Sequence, residues 1–142
     1  MITTESVCQN PSGVINAYSQ RKIADITDGA SNTFLIGEKY LGPDWYFTGT
    51  DGADDAGWAS GYDYDVDRWV ACGSTMEMPM QDTPGYGGGL DLNFGSAHAN
   101  SLNMAFCDGS VQSINYSIDP QTWDYLGNRE DGQSVDPRKA TY

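Results

Sequence analysis

The chain has 142 residues, with 20 acidic against 7 basic side chains and a formal net charge of −13. Nucleic acids and anionic membrane surfaces attract basic patches, so this charge argues against both as partners. The length fits a single domain, residues 1–142, and an aromatic content of 12% argues against a disordered chain. Because 16 of the acids are Asp and glycine occurs 17 times, we expect many strands, turns and loops.

A turn followed by a strand is predicted in the first third of the chain. Asp28-Gly29 is a turn signal, because glycine adopts the positive φ that tight turns need. The run Thr33–Ile36 is β-branched and apolar, which predicts a buried strand that ends at Gly37-Glu38.

The segment Trp45–Trp69 concentrates aromatic and acidic residues. Thr48–Gly57 is predicted to be a loop from its density of Gly and Asp. From Tyr62 onwards Tyr and Val alternate with Asp, and this period of two predicts a half-buried strand over Tyr62–Trp69 with its carboxylates in solvent.

A β-hairpin is predicted from the runs Leu102–Cys107 and Ser110–Ile114. Asp108-Gly109 stands between them, and an Asp-Gly pair indicates a two-residue type I′ turn. The register of that turn places Phe106 opposite Val111.

The best helix candidate is Ser117–Gly127. Asp119 suits the N-cap, Pro120 suits the first helical position, and the final glycine suits the C′ position. Trp123 and Leu126 fall on one face of this helix, three residues apart.

Two motifs in this order resemble a bacterial family of unknown function. His98, followed after nine residues by Asp108-Gly109, resembles the family's prepilin-processing-associated motif, and Ile23–Glu38 resembles its Ile-Thr-Asp-Gly-x-Ser-Asn-Thr signature that ends in Gly-Glu. The tail Leu126–Val135 is similar to the family's ending. The resemblance implies an extracytoplasmic, pilin- or pseudopilin-like head domain. Its relatives usually begin with an apolar prepilin helix, which we do not find in this polar start, so we expect either the separated soluble part or a variant without the anchor.

A catalytic role for His98 and Asp108 is disfavoured by geometry. An extended run between them would span about 17 Å at roughly 3.4 Å per residue, whereas a general base needs its partner within about 3 Å. The sequence also has no second His and no G-x-S-x-G motif. We therefore predict no enzyme. His98 is expected to fix the loop that leads into the hairpin, the entry loop, through hydrogen bonds to nearby backbone. A structural role is also expected for Asp108, Gly109, Asp28 and Gly29.

Calcium is the one cofactor that the sequence suggests. Asp51, Asp54 and Asp55 lie in the Gly-rich loop, where backbone carbonyls could complete the roughly six to eight oxygens that calcium takes. Pseudopilins, to which the resembling family is related, often hold calcium in an acidic loop. The alternative is a mobile acidic loop tip.

Two further residue classes leave alternatives open. The cysteines Cys8, Cys72 and Cys107 permit one disulfide with a free thiol, or three ordinary thiols. The aromatic candidates for a ligand site or an interface are Trp45, Trp58 and Trp69, which can equally belong to the core of a small β domain.

These observations predict an α+β domain, mainly an antiparallel sheet, with one short helix near the carboxyl terminus. The function expected from the resemblance is a non-enzymatic, extracytoplasmic structural or assembly subunit of a pilus- or pseudopilus-like (type II secretion-like) system. Its partners would be other pilin-like subunits or further copies of itself. The alternative is a cell-surface module that binds a glycan or a small solute. We expect no nucleic acid and no membrane segment in this chain, because no apolar run approaches the roughly 20 residues of a membrane helix.

Overall fold

The computed structural model describes residues 12–16, 20–57, 59, 63–85 and 92–135. Its strands, in chain order, are β1 (Phe34–Gly37), β2 (Ala71–Cys72), β3 (Thr75–Met76), β4 (Met80–Gln81), β5 (Gly95–Ser96), β6 (Ser101–Phe106) and β7 (Val111–Asn115), and the helix α1 (Pro120–Gly127) follows them. Short 3-10 turns lie at Ile23–Asp25, Ala30–Asn32 and Pro43–Trp45. The main sheet is antiparallel in the order β1-β6-β7, while β2-β3 and the parallel β4-β5 form small pairs. This mainly antiparallel structure with one helix near the carboxyl terminus confirms the predicted α+β fold.

Every second residue of β6 faces the core. Leu102, Met104 and Phe106 are fully buried, because the side chains of a strand alternate between its two faces. Trp123 and Leu126 of α1 pack into the same core and are also fully buried, as the predicted helix face requires. Burying an apolar side chain of this size stabilises the fold by roughly 1.5–3 kcal/mol.

The helix α1 begins as predicted and ends differently. The Asp119 carboxylate accepts a hydrogen bond from Thr122 N–H at 2.9 Å, and Pro120 holds the first helical position. Gly127 is the last helical residue, not the C′ residue, and a Cβ there would lie 2.6 Å from Cγ2 of Val70. Close packing, not a left-handed turn, explains this glycine. No helix within the described ranges is long and apolar enough to cross a membrane.

The predicted hairpin is present, but its register and its turn differ from the prediction. Ala105 pairs with Val111, so the predicted pairing of Phe106 with Val111 is wrong. Phe106 N–H donates to Ser110 O at 2.9 Å, and Gly109 N–H donates to Phe106 O at 3.0 Å. Three residues therefore connect the strands instead of the two of a type I′ turn. Gly109 has a φ of 86°, which suits the left-handed residue that closes a three-residue hairpin loop.

The predicted strand at residues 33–36 is present as β1, but it is not buried along its length. Phe34 is buried, whereas Leu35 and Ile36 are 37% and 59% exposed. A bulge between Phe34 and Ile36 shifts the pairing of β1 with β6. Because β1 is an edge strand of a sheet whose core lies on one face, its outward side chains stay in solvent.

The strand predicted over Tyr62–Trp69 is wrong for the residues that the structure describes there, and Tyr62 itself lies outside them. A turn forms instead, in which Val66 N–H donates to Asp63 O at 3.1 Å. Asp65 is 5% exposed and Val66 is 46% exposed, the reverse of the predicted alternation. The Asp63 carboxylate accepts Asp65 N–H at 3.3 Å, since short carboxylates compete with strand pairing for backbone N–H groups.

Candidate functional site

The hairpin turn lies against Ile23–Glu38, the segment that resembles the family's Ile-Thr-Asp-Gly signature and is called the first signature below. The backbone N–H groups of Cys107 and Asp108 donate to the carbonyls of Thr33 and Ala30, both at 3.0 Å. Thr33 is fully buried, and its Oγ1 donates to Gly29 O at 3.2 Å. Two motifs that are far apart in the sequence therefore hold each other's backbone.

Asp28 joins the first signature to the carboxyl-terminal tail. It is buried, and its carboxylate accepts the N–H groups of Asp131 at 2.8 Å and Gly132 at 2.9 Å. Its own N–H donates to Arg129 O at 3.2 Å. Burial, together with the neighbouring Asp28, raises the pKa of Asp131. Gly29 follows with a φ of 100°, the positive value expected of this Asp-Gly turn.

His98 lies at the other end of β6, beside Glu38 of the first signature. Its Nε2 is 3.5 Å from Oε1 of Glu38, and its side chain is 61% exposed. The Glu38 carboxylate also accepts Asn103 N–H at 2.6 Å, which links the end of β1 to β6. The imidazole thus faces a carboxylate. It is the backbone of His98 that fixes the entry loop, because its carbonyl accepts the Tyr116 hydroxyl at 3.1 Å and its N–H donates to Ser96 Oγ at 3.0 Å.

An open depression of about 320 Å³ lies beside His98. Hydrogen bonds cross the sheet here, from Ser113 Oγ to Asn103 Oδ1 at 3.0 Å and from Asn103 Nδ2 to Glu38 Oε1 at 3.3 Å. Such a lining donates and accepts hydrogen bonds and carries one imidazole, so it suits a small polar ligand. The lining residues are His98, Ala99, Asn100, Ser101, Asn103 and Ser113.

The structure does not bring His98 and Asp108 together. The six residues of β6 lie between them and span roughly 17 Å at about 3.4 Å per residue. The Asp108 carboxylate accepts Ser110 Oγ at 2.7 Å and Ser110 N–H at 2.9 Å, and these hydrogen bonds lower the pKa of Asp108. Burial, with the nearby Asp108 charge, raises the pKa of the Cys107 thiol. A thiol with a raised pKa is not an activated nucleophile.

The three loop carboxylates predicted to hold calcium have separate contacts. Asp51 is buried and accepts Ala53 N–H at 2.9 Å. Asp54 pairs with Lys39 Nζ at 2.5 Å, and Asp55 is exposed. Within the described ranges, no group of three or more His, Cys, Asp or Glu side chains is arranged to hold a metal ion. Calcium binding stays a prediction, and this geometry does not support it.

A lysine ammonium supplies positive charge inside this loop. Lys39 Nζ donates to Ala53 O and Asp65 O, each at 3.0 Å, as well as to Asp54. The buried Asp65 carboxylate accepts the three consecutive N–H groups of residues 55–57 at 2.5–3.2 Å. Neither Lys39 nor Asp65 is predicted as a site from the sequence. The available signal is that Lys39 is an isolated base in a long acidic stretch.

The aromatic candidates have mixed surroundings. Trp45 and Trp69 are half-buried, and Trp69 packs against Tyr64 with ring centroids 5.8 Å apart. Trp58 lies outside the residues that the structure describes. Phe47, which no sequence pattern singles out, is 99% exposed.

The loop that carries Phe47 is anchored by the preceding residue, Tyr46. The Tyr46 hydroxyl donates to the Asp82 carboxylate, which also accepts Leu41 N–H at 3.1 Å. Burial, followed by this hydrogen bond and the Asp82 charge, raises the pKa of Tyr46 to about 12.

The cysteines differ in state. Cys72 is disulfide-bonded, and Cys107 is a free thiol. Cys8 lies outside the described residues.

Comparison with known proteins identifies the family. The family model SBP_bac_10, described as a protein of unknown function (DUF1559), matches residues 2–121, which include the first signature and the hairpin. No curated protein and no solved structure gives a significant match. The family match covers most of the chain, and the chain therefore belongs to this bacterial family of unknown function.

Proposed function

We propose that this chain is a non-enzymatic, extracytoplasmic structural or assembly subunit of a pilus- or pseudopilus-like system. The observation that carries the proposal is how the signature residues are used. Asp28 holds the tail, Glu38 joins β1 to β6, and the N–H of Asp108 holds the first signature. These residues join separate segments of the backbone, which suits a subunit that must present a stable surface.

The state of Cys72 supports an extracytoplasmic location. Disulfides persist in oxidising compartments and are rare in the cytosol, where thiols are kept reduced. Cys72 is disulfide-bonded. The short name of the family, SBP_bac_10, also points to a bacterial extracellular protein.

Cell fractionation tests the proposal. In the bacterium that encodes the chain, we expect an epitope-tagged protein in the surface fraction released by shearing, in species much larger than one subunit. The hairpin variant Gly109→Val should be lost from that fraction, whereas Asp55→Asn, at an exposed loop residue, should be retained. A protein found only in the cytosol, or only as free monomer, would contradict the proposal.

A second candidate function is supported by the polar depression at His98. A small solute or a sugar there would be bound by hydrogen bonds to Asn103, Ser113 and the imidazole. Titration of the protein with the sugars of a glycan panel, with NMR shifts of the His98 ring as the readout, tests this candidate. Binding that His98→Ala abolishes without lowering the Tm supports it, and the absence of any ring shift across the panel rejects it.

A further inference from the structure

Among the strands that the structure describes, none pairs with the outer edge of β7. Phe106 N–H donates to Ser110 O at 2.9 Å, and Tyr116 N–H donates to Asn100 O at 3.1 Å. These two bonds fix the alternation of the ladder: the even-numbered residues of β7 direct their N–H and C=O groups toward β6. Within the described ranges, the sheet ends at β7.

The odd-numbered residues of β7 therefore direct their backbone groups away from the sheet. Val111 and Ser113 are exposed, and Val111 is 66% exposed. The carbonyl of Asn115 accepts Ile118 N–H at 3.0 Å, so the outward row consists of the N–H and C=O groups of Val111 and Ser113 and the N–H of Asn115. This row is a template for a further strand.

The edge lacks the usual protection against such pairing. Natural edge strands are shielded by charged residues, by proline or by bulges. The sequence of β7 is VQSIN, and its pairing with β6 runs without a bulge. Between Leu92 and Ile118, Asp108 is the single formally charged residue, in a chain with 20 acidic and 7 basic side chains. The hairpin itself thus contributes one formal charge, at Asp108, to a strongly acidic chain.

We infer that β7 pairs with β7 of a second copy of this chain, antiparallel and centred on Ser113, so that two sheets join into one. A two-fold axis at Ser113 sets Ser113 against its own copy and Val111 against Asn115. The outward groups then form about four backbone hydrogen bonds, two between the serines and two from Asn115 N–H to Val111 O.

The distribution of charge favours contact between two copies of the chain at β7. Two copies with a net charge of −13 each repel one another, and the hairpin, whose single formal charge is Asp108, is a surface where they can meet with little repulsion. The inference rests on the proposed role as an assembly subunit and names the contact between its copies.

Sedimentation equilibrium of the chain in 50 mM and 500 mM sodium chloride tests the inference. We expect a concentration-dependent dimer that is stronger in high salt, because salt screens repulsion between the copies without weakening backbone hydrogen bonds. Val111→Lys should raise the dimer Kd at least about tenfold, since a lysine on the edge blocks strand addition. Gln121→Lys, on the exposed surface of α1, changes the net charge by the same amount and should leave the Kd unchanged or lower it.

Hydrogen exchange locates the contact. The amides of Ser113 and Asn115 should exchange quickly in dilute solution and become protected in the dimer. A monomer at all concentrations, a dimer that Val111→Lys does not weaken, or protection of these amides in the monomer by another segment of the chain would each overturn the inference. A monomeric chain that is still recovered in the sheared surface fraction would reject edge pairing and leave the assembly role standing.

Discussion

Short carboxylates bind backbone at several places in this chain. Asp28 accepts hydrogen bonds from two N–H groups of the tail. Asp65 accepts them from three N–H groups of the acidic loop, Thr48–Gly57. A carboxylate on a single methylene reaches nearby N–H groups that would otherwise lack a partner, and hydrogen bonds to a charged acceptor are the stronger ones. These contacts show one use of the many Asp residues, 16 against 4 Glu, which is to complete turns by accepting backbone N–H groups.

The first prediction concerns the buried Asp28 carboxylate and the hydrogen bonds by which it clamps the tail. Asp28→Asn keeps one acceptor oxygen and removes the other, so one of the N–H groups of Asp131 and Gly132 loses its partner. We expect a loss of about 1–3 kcal/mol in the free energy of unfolding, measured by urea denaturation. Asp55→Asn, at an exposed loop residue, is the matched control and should change it by less than about 0.5 kcal/mol. Equal effects of the two variants would show that the clamp contributes nothing.

Gly37 carries a second prediction at this scale. A Cβ at this position would lie 2.8 Å from Cδ1 of Phe94 and closer still to Sδ of Met104, which is fully buried. Gly37→Ala should therefore destabilise the protein by about 1–3 kcal/mol through overpacking, measured as a fall in Tm. Gly13→Ala, where the nearest atom would be 3.8 Å away, should have little effect.

Among the elements, the hairpin shows how far the sequence determines register. Its second strand has two apolar residues, Val111 and Ile114, which are three positions apart and so cannot share one face of a strand. The predicted turn sets Val111 opposite Phe106 on one face, but the structure buries Phe106 and Ile114 completely and leaves Val111 exposed. An Asp-Gly pair suits both two- and three-residue loops, and a one-residue slip exchanges the faces. The choice depends on which side chain fits the core, and local sequence does not contain that information.

The hairpin turn gives the third prediction. Gly109 has a φ of 86°, where β-branched residues are strained. Gly109→Val should lower the free energy of unfolding by about 1 kcal/mol or more, whereas Gly109→Asn should cost less because Asn tolerates the left-handed region. Urea denaturation of both variants tests this order, and equal losses would argue against strain at φ as the cause.

The acidic loop gives the fourth prediction. Lys39 Nζ already binds two carbonyls and the Asp54 carboxylate, so a cation would have to displace it. We expect calcium and sodium at matched ionic strength to raise the Tm equally in the native chain, as screening predicts. In Lys39→Met the Asp54 carboxylate and the Asp65 carbonyl lose this ammonium group, and calcium should then stabilise more than sodium does. A specific calcium response in the native chain that Asp54→Asn removes would instead establish the calcium site predicted from the sequence.

At the scale of the whole molecule, the sequence predicts the elements better than it predicts their environment. The fold class, the helix start at Asp119 and the buried pair Trp123 and Leu126 follow from capping signals and periodicity. The strand predicted from the alternation of Asp after Tyr62 is wrong, because these carboxylates accept backbone N–H groups within a turn. The link between His98 and Glu38 also lies beyond local patterns, because it forms only when β1 pairs with β6.

The acidic character of the molecule leads to the last prediction, which concerns pH. Burial raises the pKa of Glu77, and burial, followed by the repulsion from Asp63, raises that of Asp67. A carboxyl group with a raised pKa binds its proton more tightly in the folded than in the unfolded state. Its contribution to stability is therefore complete below the unfolded pKa, about 4, and is lost as the pH rises through the folded pKa. Self-repulsion at a net charge of −13 adds to the loss.

We therefore expect the Tm to rise as the pH falls from 8 to 5, measured by calorimetry, and the rise to be smaller in 500 mM sodium chloride because salt screens the repulsion but not the burial of Glu77. Glu77→Gln and Asp55→Asn each remove one negative charge, so they relieve the general repulsion equally. Only the first removes a carboxyl group whose charged form is penalised by burial, so Glu77→Gln should flatten the dependence of Tm on pH more than Asp55→Asn does. A Tm that falls between pH 8 and 5 would mean that carboxylates stabilised by hydrogen bonds in the folded state outweigh the buried ones.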